Sequence, residues 1–177
     1  MQFNIVYVGN IKDKYLAEAA AEYEKRLGAY GAVKNTELKE EKITDGASAA
    51  EIAAAIEREG ERILAALPQK SCKIALCVEG REMSSEEYAA FLGKVKDASA
   101  QITFIVGGAF GLSEKVKRAC DSRISISKMT FTHRLARVLL LEQTFRAMKI
   151  VAGGIYHKYF TTNTNIKVKN ELPHRRH

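Results

Sequence analysis

Long apolar runs are missing from this chain: none approaches the roughly 20 residues that span a bilayer. The start, Met1–Val8, has no basic leader and no cleavage site, and it reads as a first strand instead of a signal peptide. Cysteine is scarce. Cys72, Cys77 and Cys120 form an odd set with no CxxC pair. Cys72 and Cys77 share one apolar run, which as a strand holds them too far apart to bridge. Reduced thiols in a cytoplasmic protein are therefore expected, and a zinc site is not. Internal repeats and low-complexity linkers are also lacking. What remains is an ordinary globular composition, 46% hydrophobic and 28% charged over 177 residues, enough for one domain with a real core.

The net charge of +7 is unevenly spread. Residues 1–114 hold 14 Lys/Arg against 18 Asp/Glu, residues 115–157 hold 9 against 2, and residues 158–177 hold 5 against 1. Positive charge gathered in the last third predicts a phosphate-rich partner and salt-sensitive binding. A solvated basic surface without a partner is the plain alternative.

Strand and helix patterns alternate. Phe3, Ile5 and Tyr7 mark a first strand, and Leu16, Ala19, Ala20, Tyr23 and Leu27 follow helical spacing up to Gly28. A weak strand covers Lys34–Leu38, and a polar loop runs through Glu40–Ala49. Ser48 with Glu51, and Ser84 with Glu87, form capping-box patterns that open helices over Ala49–Leu67 and Ser85–Ala98. Lys73–Val78 and Gln101–Val106 read as buried strands. Ser113 caps a short helix to Cys120, and Arg123–Ser127 reads as the last strand. These elements predict a three-layer α/β/α sandwich with a mostly parallel sheet, and its ligand site lies beyond the strand C-termini. The final helix, His133–Val151, carries apolar residues on two nearly opposite sides. Ala136, Leu139, Leu140, Ala147 and Ile150 form one side; Val138, Leu141, Phe145 and Met148 form the other. One side packs on the sheet and the other predicts a second subunit, with a central core helix in a monomer as the alternative.

Three loops are selected for the site: after Val78, at Gly107–Gly111 and at Lys128–His133. The glycines let a ligand approach the backbone closely, but they do not form the G-x-G-x-x-G dinucleotide fingerprint. A small nucleoside fits better than a pyrophosphate. Ser125, Ser127 and Thr130 offer hydroxyls; Leu76, Ile126, Met129 and Phe131 offer apolar walls. His133 and His157 are natural proton carriers, and Tyr156 stands beside His157. Glu142 and Arg146 stand at i, i+4 and pair on one helix. Arg134 and Arg137 have no such partner on the helix and are candidates for phosphate contacts.

The run Phe104-Ile105-Val106-Gly107-Gly108-Ala109-Phe110-Gly111-Leu112, then Ser125 through His133, then Arg137, Glu142-Gln143, Phe145-Arg146-Ala147 and Tyr156-His157-Lys158, resembles the RlmH family. Its members are SPOUT-class methyltransferases acting on a pseudouridine in large-subunit ribosomal RNA. Val8-Gly9-Asn10, the stretch Glu22–Leu27 and the stretch Glu59–Leu64 fit as well, so the resemblance covers residues 1–158. It implies a deep C-terminal trefoil knot, which no pattern rule proposes. It implies a homodimer with RNA bound across both subunits, acting on the assembled ribosome at N3 of a pseudouridine in 23S rRNA. S-adenosylmethionine contacts carry over to Leu76, Gly107, Gly108, Ile126, Ser127, Lys128, Met129, Thr130 and Phe131. His133 is the first candidate for the proton acceptor. Tyr156 and His157 are nominated to handle protons or position RNA, and Arg134, Arg137, Arg146 and Lys158 to contact RNA. A different RNA target such as tRNA, or a non-catalytic ribosome-binding role, remains a rival.

Two departures stand out. Family members usually read Pro-His-Gln where this chain has Thr132-His133-Arg134. Losing the fixed φ of proline allows a looser loop, and Arg134 adds charge. Members also normally stop near Tyr-His-Lys, whereas here a basic tail, residues 159–177, follows the single domain 1–158 and is expected to be disordered.

Overall fold

The computed structural model describes residues 1–154. Tyr156, His157, Lys158 and the 159–177 tail lie outside the described residues. Five strands and five helices follow one another as β1 (Gln2–Val8), α1 (Lys14–Leu27), β2 (Ala32–Leu38), α2 (Ala49–Ala66), β3 (Cys72–Glu82), α3 (Ser85–Ala98), β4 (Gln101–Val106), α4 (Glu114–Arg118), β5 (Ser122–Ser125) and α5 (His133–Val151). The strands form one sheet in the order β2-β1-β4-β3-β5, and every pairing is parallel.

The sheet is covered on both faces, so its central strands read as almost unbroken apolar runs. Phe3, Ile5 and Tyr7 of β1 pack with residues of α1, α3 and α5. Val6 and Val8 turn the other way and pack with Ile63 of α2 and Val116 of α4. The layers are thus helix, sheet, helix. Both predicted capping boxes form, with each serine side chain accepting the N3 amide and each N3 glutamate returning the bond. Ser113 caps α4 by accepting the amide of Val116.

β3 runs further than the apolar pattern suggested. It pairs with β5 through Leu76, breaks register, and resumes at Arg81. The chain bulges between these points, and β5 passes so close that a Cβ on Gly80 would lie 2.4 Å from the backbone of Ile124. β5 itself ends at Ser125, two residues short of the expected end. Ile126 and Ser127 therefore belong to the loop.

The two apolar sides of α5 are packed within the chain. The Phe145 ring meets those of Tyr23 and Tyr30, at 6.4 and 6.1 Å between centroids. Near the opposite flank, the hydroxyls of Thr144 and Tyr88 on α3 are 3.1 Å apart. α5 thus sits between α1 and α3. The helical-wheel argument for a second subunit loses its necessity, although Leu139 and Ile150 remain half-buried.

Candidate active site

Because all five strands are parallel, their C-terminal ends share one edge, and the loops leaving them meet there. A cavity of about 330 Å³ opens between the bulged part of β3 and the loops after β4 and β5. Leu76, Gly107, Gly108, Ile126, Ser127, Met129, Thr130 and Phe131 all line it, as does His133. Lys128, the remaining residue nominated for cofactor contact, is exposed and does not line the cavity. Val78, Phe110 and Met129 keep large apolar surfaces exposed at this end.

The wall after β4 is a tight turn. The Gly111 amide donates to the Gly108 carbonyl at 3.1 Å. Gly111 holds φ +85, which a side chain disfavours, and a Cβ on Gly107 would meet the Gly111 carbonyl at 2.5 Å. A Cβ on Gly108 would meet the Glu59 carboxylate at 2.7 Å. Glu59 is buried, and burial, seconded by the nearby Glu40 and Glu41, raises its pKa against the lowering effect of the Glu41 amide it accepts.

The wall after β5 is looser. Ser125 Oγ donates to the Ser127 carbonyl at 2.9 Å, and the Met129 amide donates to Ser127 Oγ at 3.0 Å. The two serine hydroxyls expected to hold a ligand are therefore already engaged in shaping the loop. Lys128, Met129 and Thr130 stand exposed beyond them.

Helix α5 starts at the cavity. Thr132 caps it, its hydroxyl accepting the Leu135 amide at 3.4 Å. Its φ of −59 lies within the range proline imposes. The backbone at Thr132 is thus one that a proline could also adopt. His133 follows, with a side chain 13% exposed and Nε2 3.7 Å from Glu40 Oε1. Burial lowers its proton affinity, Glu40 raises it, and Arg134 lowers it, with a net depression. Arg134 reaches Asp13 at 3.8 Å.

Arg137 is not offered outward. Its side chain is 10% exposed, Nη2 donates to Glu24 at 2.9 Å and to Asn35 at 3.4 Å, and its guanidinium lies 3.5 Å from the Tyr7 ring centre. The nomination of Arg137 as a phosphate contact overlooked partners on α1 and β2, which helical spacing cannot reveal. Arg146 pairs with Glu142 as its spacing predicts, Nε donating at 3.1 Å. Among the described residues, the buried side-chain nitrogens and oxygens without a hydrogen bond are His133 Nε2, Arg134 Nε and Arg137 Nε, all on the first two turns of α5. Buried polar atoms are rarely left so, and of these three His133 is the one whose residue lines the cavity.

Sequence reasoning did not select Glu40, Glu59 or Gly9 for the site. The glycine and Glu59 sat in motifs noted only for family likeness, and Glu40 lay in a polar loop without periodicity.

Comparisons with known proteins give the family. The family profile described as "Predicted SPOUT methyltransferase" matches residues 1–157. "Ribosomal RNA large subunit methyltransferase H" of Listeria monocytogenes serotype 4a is 45% identical over 89% of this chain and 100% of its own length. The protein of the same name in Carboxydothermus hydrogenoformans is 43% identical over the same shares. The solved structure of a probable methylase family protein from Haemophilus influenzae Rd KW20 shares the fold, with TM-score 0.51 and 17% identity over 91% of this chain and 72% of that one. A profile matched over nearly the whole chain, together with relatives at this identity, shows that the chain belongs to the SPOUT methyltransferase family.

Proposed function

We propose that this chain is a ribosomal RNA methyltransferase that uses S-adenosylmethionine to methylate N3 of a pseudouridine in 23S rRNA on the assembled ribosome. The observation that carries the reading is the cavity at the sheet's C-terminal edge. It gathers eight of the nine residues that the family likeness assigns to the cofactor and sets His133 beside them. The lining suits a nucleoside with a small charged end. Leu76, Ile126 and Phe131 give apolar walls, Gly107 and Gly108 bring backbone close, and the exposed Lys128–Thr130 segment offers polar groups.

The sulfonium of S-adenosylmethionine supplies an already activated methyl group. The chain's own work is then to place the acceptor nitrogen in line and to take its proton. His133 is assigned the proton, and Arg134, Arg146 and Lys158 are assigned to the RNA backbone. Tyr156 and His157 are assigned to position the base. The basic last third supplies the electrostatic pull. A trefoil knot, a homodimer with RNA across both subunits, a cytoplasmic location, a single domain over 1–158 and a separate tail over 159–177 complete the proposal. No helix among the described residues is long and apolar enough to cross a membrane.

Calorimetry with S-adenosylmethionine and mass analysis of ribosomal RNA from a strain lacking the chain test the proposal. Binding to the folded protein, with loss of the methylpseudouridine signal, is expected. Binding with an unchanged rRNA signal points to another RNA such as tRNA. No binding points to a non-catalytic role at the ribosome.

A further inference from the structure

Three motifs in the acidic first half converge on the start of α5. Gly9, at the end of β1, has φ +73 and is buried; a Cβ there would lie 3.0 Å from Glu40 Oε2 and 3.4 Å from His133 Nε2. Glu24 on α1 ties down Arg137. Glu59 and Arg62 on α2 grip the segment around Glu40 from both sides. Arg62 Nη1 donates to the Lys39 carbonyl at 2.9 Å, and the Glu41 amide donates to Glu59 Oε1 at 2.8 Å. The Glu41 carboxylate is held by Arg58 at 2.8 Å and also by Arg62. Lys39 and Glu41 are thus fixed, and Glu40 between them has its carboxylate turned to His133.

We propose that Glu40 is the positioning residue of His133: its carboxylate faces Nε2 at the cavity wall, and it draws the ring into a hydrogen bond and stabilises the cation formed when Nδ1 takes the nucleobase proton. The assignment rests on the methyltransferase reading above. In the step, the N3–H bond of the base breaks. Its electron pair stays on N3 and forms the bond to the methyl carbon as the methyl–sulfur bond of the donor breaks, that pair returning to sulfur so that a neutral thioether leaves; the proton passes to His133 Nδ1, later to leave to solvent. At 3.7 Å the resting contact is longer than a hydrogen bond. It gains strength when the ring becomes charged, so it favours the charged state more than the resting one, as a catalytic contact must. The other charged groups near the ring are already engaged: Arg134 with Asp13, Arg137 with Glu24, Glu41 with Arg58 and Arg62. Among the described residues, Glu40 is the carboxylate that faces a positive charge on His133.

Glu40→Gln in the full chain is the test, read two ways. The His133 ring is titrated by NMR, its signals assigned by their loss in His133→Ala. Single-turnover methyl transfer to 23S rRNA within ribosomes is followed against pH. The His133 titration is expected to move to lower pH, the acid limb of the rate profile to move with it, and kcat to fall about tenfold with KM for S-adenosylmethionine unchanged. An unmoved titration and limb overturn the proposal, whatever the loss of rate, because a merely structural lesion lowers rate without shifting the limb. Glu40→Asp keeps the charge and should recover most of the rate. If the glutamine variant does not fold, the same titration on Glu40→Asp decides: its shorter reach must still displace the His133 midpoint relative to wild type. The NMR arm needs no turnover, so it stands even if ribosomal RNA proves not to be the substrate.

Discussion

His133 and Arg137 stand one turn apart on α5, each facing a carboxylate from the acidic first half of the chain, and only one of the two pairs is closed. Arg137 bonds Glu24 at 2.9 Å and lies on the Tyr7 ring. His133 stops 3.7 Å from Glu40, with its Nε2 unbonded and its ring on the cavity. A closed, buried ion pair fixes where the helix begins; an open one keeps electrostatic energy in reserve for a charge that arrives during reaction. The same charge complementarity, acidic first half against basic last third, thus serves structure at one position and chemistry at the next.

Removing Arg137 should produce the largest effect on stability. Arg137→Ala leaves the Glu24 carboxylate, 19% exposed, without its main counter-charge and strips the Tyr7 ring of its cover. Breaking such a pair from one side costs about 3–5 kcal/mol. Urea unfolding measures it, and a change below about 1 kcal/mol, the range of an exposed pair, would show that the pair is not closed in solution. His133→Ala should do the reverse. The ring makes no hydrogen bond among the described residues, so unfolding should change little, whereas methyl transfer should fall about 100-fold or more. Full turnover by this variant removes His133 as the proton acceptor.

Glu59 sharpens the comparison at the next level down, because it is a buried acid behind Gly108 of the cavity wall and, unlike Glu40, accepts a hydrogen bond from the Glu41 amide. Burial raises its pKa above the ordinary glutamate value. A group whose folded pKa is raised binds protons more readily folded than unfolded. Its ionisation therefore costs stability above the raised pKa, and that cost disappears as pH falls below the ordinary value. Glu59→Gln keeps an oxygen for the Glu41 amide and removes the titration. The variant's stability advantage over wild type should be greatest near neutral pH and vanish in mild acid. A pH-independent difference would mean that Glu59 is not desolvated.

Most of the framework was legible because its signals are local or periodic. Ser48 and Ser84 announce their helices through residues three positions on, and Phe3, Ile5 and Tyr7 alternate visibly. The cavity was legible because parallel strands deliver their loops to one edge. What could not be read were pairings across the chain. Arg137 finds Glu24 at a separation of 113 residues, and Gly9 makes room for a glutamate 31 positions later, contacts that no window of sequence contains. The extension of β3 past its bulge was hidden for the same reason: Arg81 joins the sheet by pairing with Ile124, not through its own pattern. The second apolar side of α5 was visible; α1 and α3 flank the helix, and Leu139 and Ile150 stay half-buried.

The smallest expected effect tests the residue that opens α5. Thr132→Pro restores the residue usual at this position in the family. It removes the hydroxyl that accepts the Leu135 amide at 3.4 Å, a long bond whose loss costs about 0.5–1 kcal/mol. Against that, proline at a position already at φ −59 restricts the unfolded chain and returns about 0.4–1 kcal/mol. The Thr132 amide donates no backbone bond among the described residues, so nothing further is lost there. The two effects nearly cancel, and thermal unfolding should move by no more than a degree or two either way. Because the backbone of the cap is unchanged, His133 should keep its distance to Glu40, and its NMR titration should stay where it is in the wild type. A large destabilisation would mean that Phe131, which must then adopt the extended conformation required before proline, cannot do so while lining the cavity. In that case the threonine is an adaptation of the cavity wall and not merely a substitute cap.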